Sequence, residues 1–295
     1  MLGLGGANEN SPCSGRLIKC KQIEISFSRP FYGLVLLRGV RPSTEVLGYF
    51  QPSATRTILE AQLFLNMIIE QVTVTAFQQH TRILGCERTK RAVCIDPGDD
   101  SASIVQAIDK HGFELEVIAC THAHLDHIGG VAALKQLKPA ARIMLHQADE
   151  FIYQALPEQP SWIGIPKSQW AALGFAFAQP PVVDEYFEDG KPLRIGKLEF
   201  QVLHCPGHTP GHIVLFAAAE RKVFVGDVLF AGSVGRTDLP GGSSEQLITS
   251  IEEKLLPLGD DVVVYSGHGP ETTIGEERTT NPFLTGAYPL RSGRF

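Results

Sequence analysis

Residues 121–130 read THAHLDHIGG directly after the apolar run LEVIAC, so three imidazoles and a carboxylate crowd into six positions where a predicted buried strand ends. Polar groups gathered this closely in a protein interior need partners, either one another's protons or a metal ion. On extended backbone, residues two apart project to the same side, which aims His122 and His124 together. Asp126 and His127 then fall where the chain turns into the next helix, so one loop can serve two adjacent cations. None of the four is a thiolate. Imidazole with carboxylate suits an open, catalytic site for zinc, iron or manganese rather than a closed structural one.

Such a loop needs further ligands from elsewhere in the chain, held on rigid supports. Three later apolar runs end in suitable groups: His208 in HCPGHTPGH, Asp227 in VFVGDVLF and His268 in YSGHGP. One histidine or aspartate after a strand would read as a structural or solvated residue. Five histidines and two aspartates, each at a strand end beside Gly or Pro, read as a two-metal centre. The intervening sequence predicts the supports. The runs IIEQVTVTAF, TRILGCE and RAVCIDPG are rich in β-branched residues and form a meander. Residues 101–111 place Ile104, Val105 and Ile108 on one helical face, and LEVIACTH follows as a buried strand. A helix over 129–137 and a strand at ARIMLH continue the pattern, whereas residues 151–181 are Pro-rich and read as an irregular insertion carrying Trp162 and Trp170. LEFQVLHCPGH, HIVLFAAA and KVFVGDVLF read as strands, 245–256 as a helix and DVVVYSGHG as a strand. The predicted class is α/β (α+β), two β-layers flanked by helices.

Residues 1–66 differ from the rest. Seven Arg and Lys face four Glu there, a balance of +3 against −9 for the remainder of a chain whose net charge is −6, and apolar periodicity is weak. We expect an N-terminal extension over 1–66, either disordered or upstream of the true start, and one domain over 67–295. With no clustered basic surface, neither nucleic acid nor anionic membrane is an expected partner. The six cysteines form no CxxC pair, no apolar run reaches membrane-spanning length, and no signal sequence opens the chain; the expected location is cytoplasmic.

The motifs resemble those of the metallo-β-lactamase fold hydrolases and, within them, the short bacterial type II glyoxalase-like (YcbL-like) proteins. The likeness covers roughly residues 67–284. It rests on THAHLDHIGG, DPGDD at Asp96, LHCPGHTPGH, GDVLF with GSVGRTDLPGG, LLPLGDDV and GHGPETTIGEERTTNPFL. The resemblance implies a four-layer αβ/βα sandwich. It implies two divalent metal ions, zinc first and iron or manganese as alternatives: one on His122, His124 and His208, the other on Asp126, His127 and His268, with Asp227 bridging. Asp126 and Asp227 are the expected catalytic carboxylates, Asp96 a supporting aspartate and His212 the best further supporting histidine. His80, His111, His146 and His204 read as ordinary surface or core residues, and Cys205 as a small buried thiol.

Two divalent ions offset by Asp126, Asp227 and a bridging hydroxide leave a net charge of about +1, which attracts anions. A thiolate leaves without a general acid, and no separate proton donor stands out, which favours a thioester substrate. The resemblance points to attack of a metal-bound hydroxide on thioesters of the hydroxyacylglutathione hydrolase (glyoxalase II) type, such as S-lactoylglutathione. Full-length type II glyoxalases grip glutathione with a C-terminal helical domain, whereas 27 residues (295 − 268) follow His268 here. Arg236 in GRTD is a candidate for a substrate carboxylate, and equally for a scaffold pair with Asp238. The alternative reading is an iron-dependent persulfide dioxygenase of the same fold, which uses one iron and shares the GRTD stretch and an EERxxNP-like tail (Glu276 to Pro282). A β-lactamase or nuclease is disfavoured, for want of an export signal, a nuclease insertion or a basic surface.

Overall fold

Strands that are apolar on both faces must be covered on both, and that requirement organises the molecule. The computed structural model describes residues 67–288, so the predicted extension over 1–66 lies outside the described residues. Strands β1 (Met67–Val74), β2 (Gln79–Cys86) and β3 (Arg91–Ile95) form the expected antiparallel meander. Helix α1 (Ser101–Lys110) then crosses over to β4 (Glu114–Ala119), which lies parallel to β3. The helix starts where the Asp100 carboxylate caps the Ser103 amide, and Ile104 and Ile108 form its buried stripe. Helices α2 (Leu125–Ile128) and α3 (Val131–Leu137) lead to β5 (Arg142–His146). Short helices α4 (Glu150–Gln154) and α5 (Gln159–Trp162) follow, and β6 (Glu185–Phe187) closes a sheet of order β1-β2-β3-β4-β5-β6.

The second sheet is built from β7 (Leu193–Ile195), β8 (Leu198–His204), β9 (Ile213–Ala217), β10 (Lys222–Gly226), β13 (Val263–Ser266) and β14 (Thr272–Thr273), in the order β14-β13-β10-β9-β8-β7. A small hairpin of β11 (Leu229–Phe230) and β12 (Ser233–Val234) and helix α6 (Ser244–Ser250) lie between β10 and β13; helix α7 (Ile274–Thr280) follows β14.

Side-chain alternation divides the interior into three cores. In the first sheet Ile83, Cys94, Ile118 and Ile143 pack with Ile104, Ile108 and Leu134 beneath the helices, while Leu84, Val93, Val117 and Met144 point the other way. There they meet Phe200, Ile213, Leu215 and Phe224 of the second sheet. The opposite face of that sheet, including Val214, Val223 and Val264, packs against Leu247 and Ile251. Helix, sheet, sheet, helix is the four-layer αβ/βα sandwich. Each fully buried Ile or Leu contributes about 1.5–3 kcal/mol, so the central layer alone fixes how the two sheets face each other.

The elements not predicted from sequence include β6, β7 and β14, each only two or three residues long and at a sheet edge, the hairpin strand β12 and helix α7. The Pro-rich stretch predicted as irregular folds as short helical turns. Its prolines prevent one long helix, yet Ile152, Tyr153, Leu156, Trp170 and Phe175 join the core beneath the first sheet. Among the described residues no helix is long and apolar enough to cross a membrane, and Cys86, Cys94, Cys120 and Cys205 are free thiols.

Candidate metal centre

Strand ends from both sheets deliver the predicted residues to one place. His122 and His124 follow β4, Asp126 and His127 occupy α2, His208 lies between β8 and β9, Asp227 follows β10, and His268 follows β13. Two groups of converging ligand atoms result. His122, His124 and His208 form one, Asp126, His127 and His268 the other, with the ligand atoms in each lying within 4.8 Å of one another. The Asp227 carboxylate stands between them. Its Oδ2 is 3.8 Å from His208 Nε2 and 3.6 Å from His268 Nε2, and its Oδ1 is 3.4 Å from His127 Nε2.

Apart from His124, whose Nε2 is buried without a hydrogen bond among the described residues, the outward nitrogens of these rings are tied down, which fixes their tautomers. His208 Nδ1 donates to the Arg236 carbonyl at 2.7 Å and His268 Nδ1 to the Phe77 carbonyl at 3.0 Å. His127 Nδ1 donates to Asp96 Oδ2 at 2.9 Å. The Thr121 hydroxyl donates to Asp96 Oδ2 at 2.7 Å and faces His122 Nδ1 at 3.1 Å as acceptor. In each case Nε2 is left with its lone pair aimed inward. His208 Nε2 lies 2.8 Å from His124 Nδ1 and 3.2 Å from His122 Nε2. A single proton can bridge only two of those three nitrogens, whereas a metal ion satisfies all three.

Asp96 sits at a backbone φ of 51°, left-handed for a residue other than glycine, at the end of β3. That turn swings its carboxylate across the end of β4, where the Thr121 amide, the Thr121 hydroxyl and His127 all donate to it. Although Asp96 clusters with His122 and His127, its oxygens are engaged by these donors, which makes it a support. His212 accepts the Asp227 amide at Nε2 (3.0 Å) and stacks on His122 at 4.7 Å between ring centroids. Two glycines permit the close packing. A Cβ on Gly226 would fall 2.5 Å from Thr121 Oγ1, and one on Gly267 would fall 2.3 Å from Asp227 Oδ1.

The electrostatics of the two groups differ. Burial, reinforced by the neighbouring imidazoles, drives the His122 pKa well below its ordinary value. Burial, reinforced by His208, brings that of His124 to about 3. Both rings are held neutral, the form in which an imidazole could hold a metal ion. Burial also opposes charge on His127, but Asp227 and Asp126 outweigh it and push its pKa well up; the His268 pKa rises too, because its hydrogen bond to Asp126 and the nearby Asp227 overcome burial. The Asp227 carboxyl is held far below its usual range despite burial, chiefly by His127. Its Oδ1 is buried with no hydrogen bond among the described residues. A buried carboxylate oxygen that makes no hydrogen bond and stands between two imidazole clusters is a seat for positive charge, and the residues fit a binuclear metal site.

The centre forms the floor of a cavity of about 270 Å³ walled by Phe77, Leu125, Trp162, Ile163 and Leu239. Trp162 thus lines the site, whereas Trp170 is core and donates its indole N–H to the Ile165 carbonyl. Arg236 also reaches the cavity, but its guanidinium is forked onto Asp238, with both contacts at 2.7 Å. The other histidines lie outside the centre: His111 on Glu70, His146 stacked on His204, and His80 on the Gly269 carbonyl. Sequence reasoning missed Phe77, which serves at once as carbonyl acceptor and cavity wall. It also missed the work of the EERTTNP stretch. There the buried Glu277 accepts from Thr272, Gly232 and Asn281, and Asn281 donates to the Ser233 carbonyl, pinning the hairpin that leads into Arg236.

Fold and site together define a metallohydrolase. The family model of the metallo-beta-lactamase superfamily matches residues 81–268, and the chain belongs to that superfamily. It is 42% identical over 219 residues to the hydroxyacylglutathione hydrolase GloC of Haemophilus influenzae, an alignment covering 74% of this chain and 98% of that one. Among solved structures, the di-iron-bound form of TTHA1623 matches with a TM-score of 0.62 and 37% identity, covering 73% of this chain and all (100%) of that one. The B3 metallo-beta-lactamase BLEG-1 matches with a TM-score of 0.64 and 36% identity, covering 74% and 100%.

Proposed function

We propose that the protein is a dinuclear metallohydrolase acting on small thioesters of the hydroxyacylglutathione type. The observation that carries this reading is the pair of ligand groups with Asp227 between them, set in the floor of an apolar-walled cavity. His122, His124 and His208 would hold one ion, Asp126, His127 and His268 the other, and Asp227 would touch both. When bound, such a pair supplies a water that ionises near neutral pH and an electrophile for the carbonyl oxygen.

The chain's own residues supply the rest. Asp126 and Asp227 face the cavity, provide the negative charge that balances the cations and offer acceptor oxygens that orient the protons of the attacking water. Phe77, Leu125, Trp162, Ile163 and Leu239 strip water from the acyl chain, which strengthens every electrostatic contact at the floor. The leaving thiolate needs no proton, in keeping with a site whose titratable groups are all engaged as ligands or their supports. Zinc is the ion we favour, with iron and manganese as competitors.

The relative from Haemophilus influenzae carries the name hydroxyacylglutathione hydrolase, which supports the thioester class. The similarity to a B3 metallo-beta-lactamase makes β-lactams a competing class, and the GRTD and EERxxNP stretches make a persulfide the other. The test is metal analysis of the purified protein alongside turnover of S-lactoylglutathione, a β-lactam and glutathione persulfide. About two equivalents of metal with thioester turnover dominant supports the reading. One iron with oxygen uptake on persulfide, or β-lactam turnover alone, overturns it.

A further inference from the structure

Asp149 is a buried carboxylate with no part in the ligand groups, yet it touches both loops that build one of them. It lies in the tight turn after β5 and is 0% exposed. Its Oδ2 accepts from the Ala123 amide at 3.0 Å and from the Thr209 hydroxyl at 2.8 Å, and its Oδ1 accepts from the Gly211 amide at 2.5 Å. Ala123 separates His122 from His124, and Thr209 follows His208. The carbonyl of Ala123 is held as well: Gln159, 1% exposed, donates its Nε2 to that oxygen at 2.8 Å and to the Ile152 carbonyl at 2.9 Å. Both backbone groups of the residue between His122 and His124 are thus gripped by side chains: the amide by Asp149, in the turn after β5, and the carbonyl by Gln159, in the segment that reads from sequence as a mere insertion.

Three donors converge on Asp149, so only a carboxylate satisfies them; an amide would turn an N–H toward at least one. The approach is also tight, because a Cβ on Gly211 would fall 2.6 Å from the Asp149 nitrogen and 2.8 Å from its Cβ. None of these contacts reaches Asp126, His127 or His268.

We propose that Asp149, helped by Gln159, is a positioning residue for one metal position only: it sets the spacing between the His122/His124 loop and the His208 loop. The inference rests on the dinuclear reading above. Supporting groups behind ligands typically change metal affinity by about 10–100-fold. The loss of Asp149 should fall on the three-histidine position and leave the Asp126/His127/His268 position loaded.

The test is chelator competition on the metal-loaded full chain, read as equivalents retained against free-metal concentration, with thermal melts in parallel. Asp149→Asn should weaken one equivalent by about 10–100-fold and leave the other at wild-type affinity. The retained equivalent should match the one that survives in His208→Ala, which removes a ligand of the same position. Thr209→Val removes a single donor at nearly constant volume and should weaken the same equivalent by less, which keeps the proposal testable if Asp149→Asn misfolds. If Asp149→Asn and Thr209→Val lower the melting temperature but keep both affinities, or weaken both equally, the brace is merely structural and the proposal falls. Wild-type protein that never holds two equivalents would overturn the dinuclear reading itself, a result visible before any variant is made.

Discussion

The two ligand groups are neighbours built on different principles. His122, His124 and His208 are nearly inaccessible, with exposures of 0%, 6% and 2%, carry no carboxylate of their own, and are held as neutral rings from two separate loops. In the other group Asp126 and His268 are partly open to the cavity, with side-chain exposures of 16% and 24%, while His127 is fully buried, and the electrostatics favour positive charge so strongly that both imidazole pKa values rise. On the proposed reading, the first group would select a cation by geometry and the second by charge. The first should therefore fail when loops shift and the second when a carboxylate is removed, and Asp227, which faces both, should be the one residue whose loss is felt by each.

Asp227→Ala breaks that contrast most severely. It removes a ligand atom from each side and one negative charge from between two cations that would stand about 3.5–4 Å apart. Both equivalents of metal should be lost in dialysis against dilute chelator, with turnover down by about 10³-fold; loss of one equivalent alone would show that Asp227 serves a single ion. Asp96→Asn probes the shared support. An amide cannot accept from the Thr121 amide, the Thr121 hydroxyl and His127 together, so His127 and His122 both lose their fixed tautomers. We expect a fall of about 10–100-fold in affinity at both positions, measured by the same chelator competition; a loss confined to the carboxylate-bearing group would mean the Thr121 link to His122 carries no weight. The smallest effect should come from Phe77→Ala. His268 is held by the backbone carbonyl, which the substitution keeps, whereas the ring that walls the cavity is lost. Metal content should be unchanged and KM should rise several-fold at nearly constant kcat, as expected when uniform binding is lost; reduced metal content would place the ring itself in support of His268.

What the sequence disclosed and what it hid follow the same division. Candidate ligands such as His208, Asp227 and His268 are legible because each is a chemically conspicuous residue at the end of an apolar run, next to a Gly or Pro that stops the strand. The sandwich is legible because strands such as β9, IVLFA, are buried on both faces and read as unbroken apolar runs. The supports are not. Asp149 sits in QADE, an ordinary polar turn in sequence, and its partner Thr209 is 60 residues away in the other half of the fold. Glu277 looks like any acid in the first turn of a short helix, yet it reaches back 45 residues to the Gly232 amide. The segment over 151–181 lacks any period because its prolines break it into short turns; only the tertiary structure shows that it walls the cavity with Trp162 and grips Ala123 through Gln159. Long-range hydrogen bonds leave no local pattern, and the second half of this site is made of them.

The central claim is that two ions sit side by side on a shared Asp227. It is tested most directly by loading the metal-free protein with two equivalents of Mn²⁺ and recording its electron paramagnetic resonance spectrum. Two ions about 3.5–4 Å apart on a common carboxylate should give an exchange-coupled spectrum that collapses in Asp227→Ala. A simple six-line spectrum of isolated ions at full loading, unchanged by that substitution, would contradict the account.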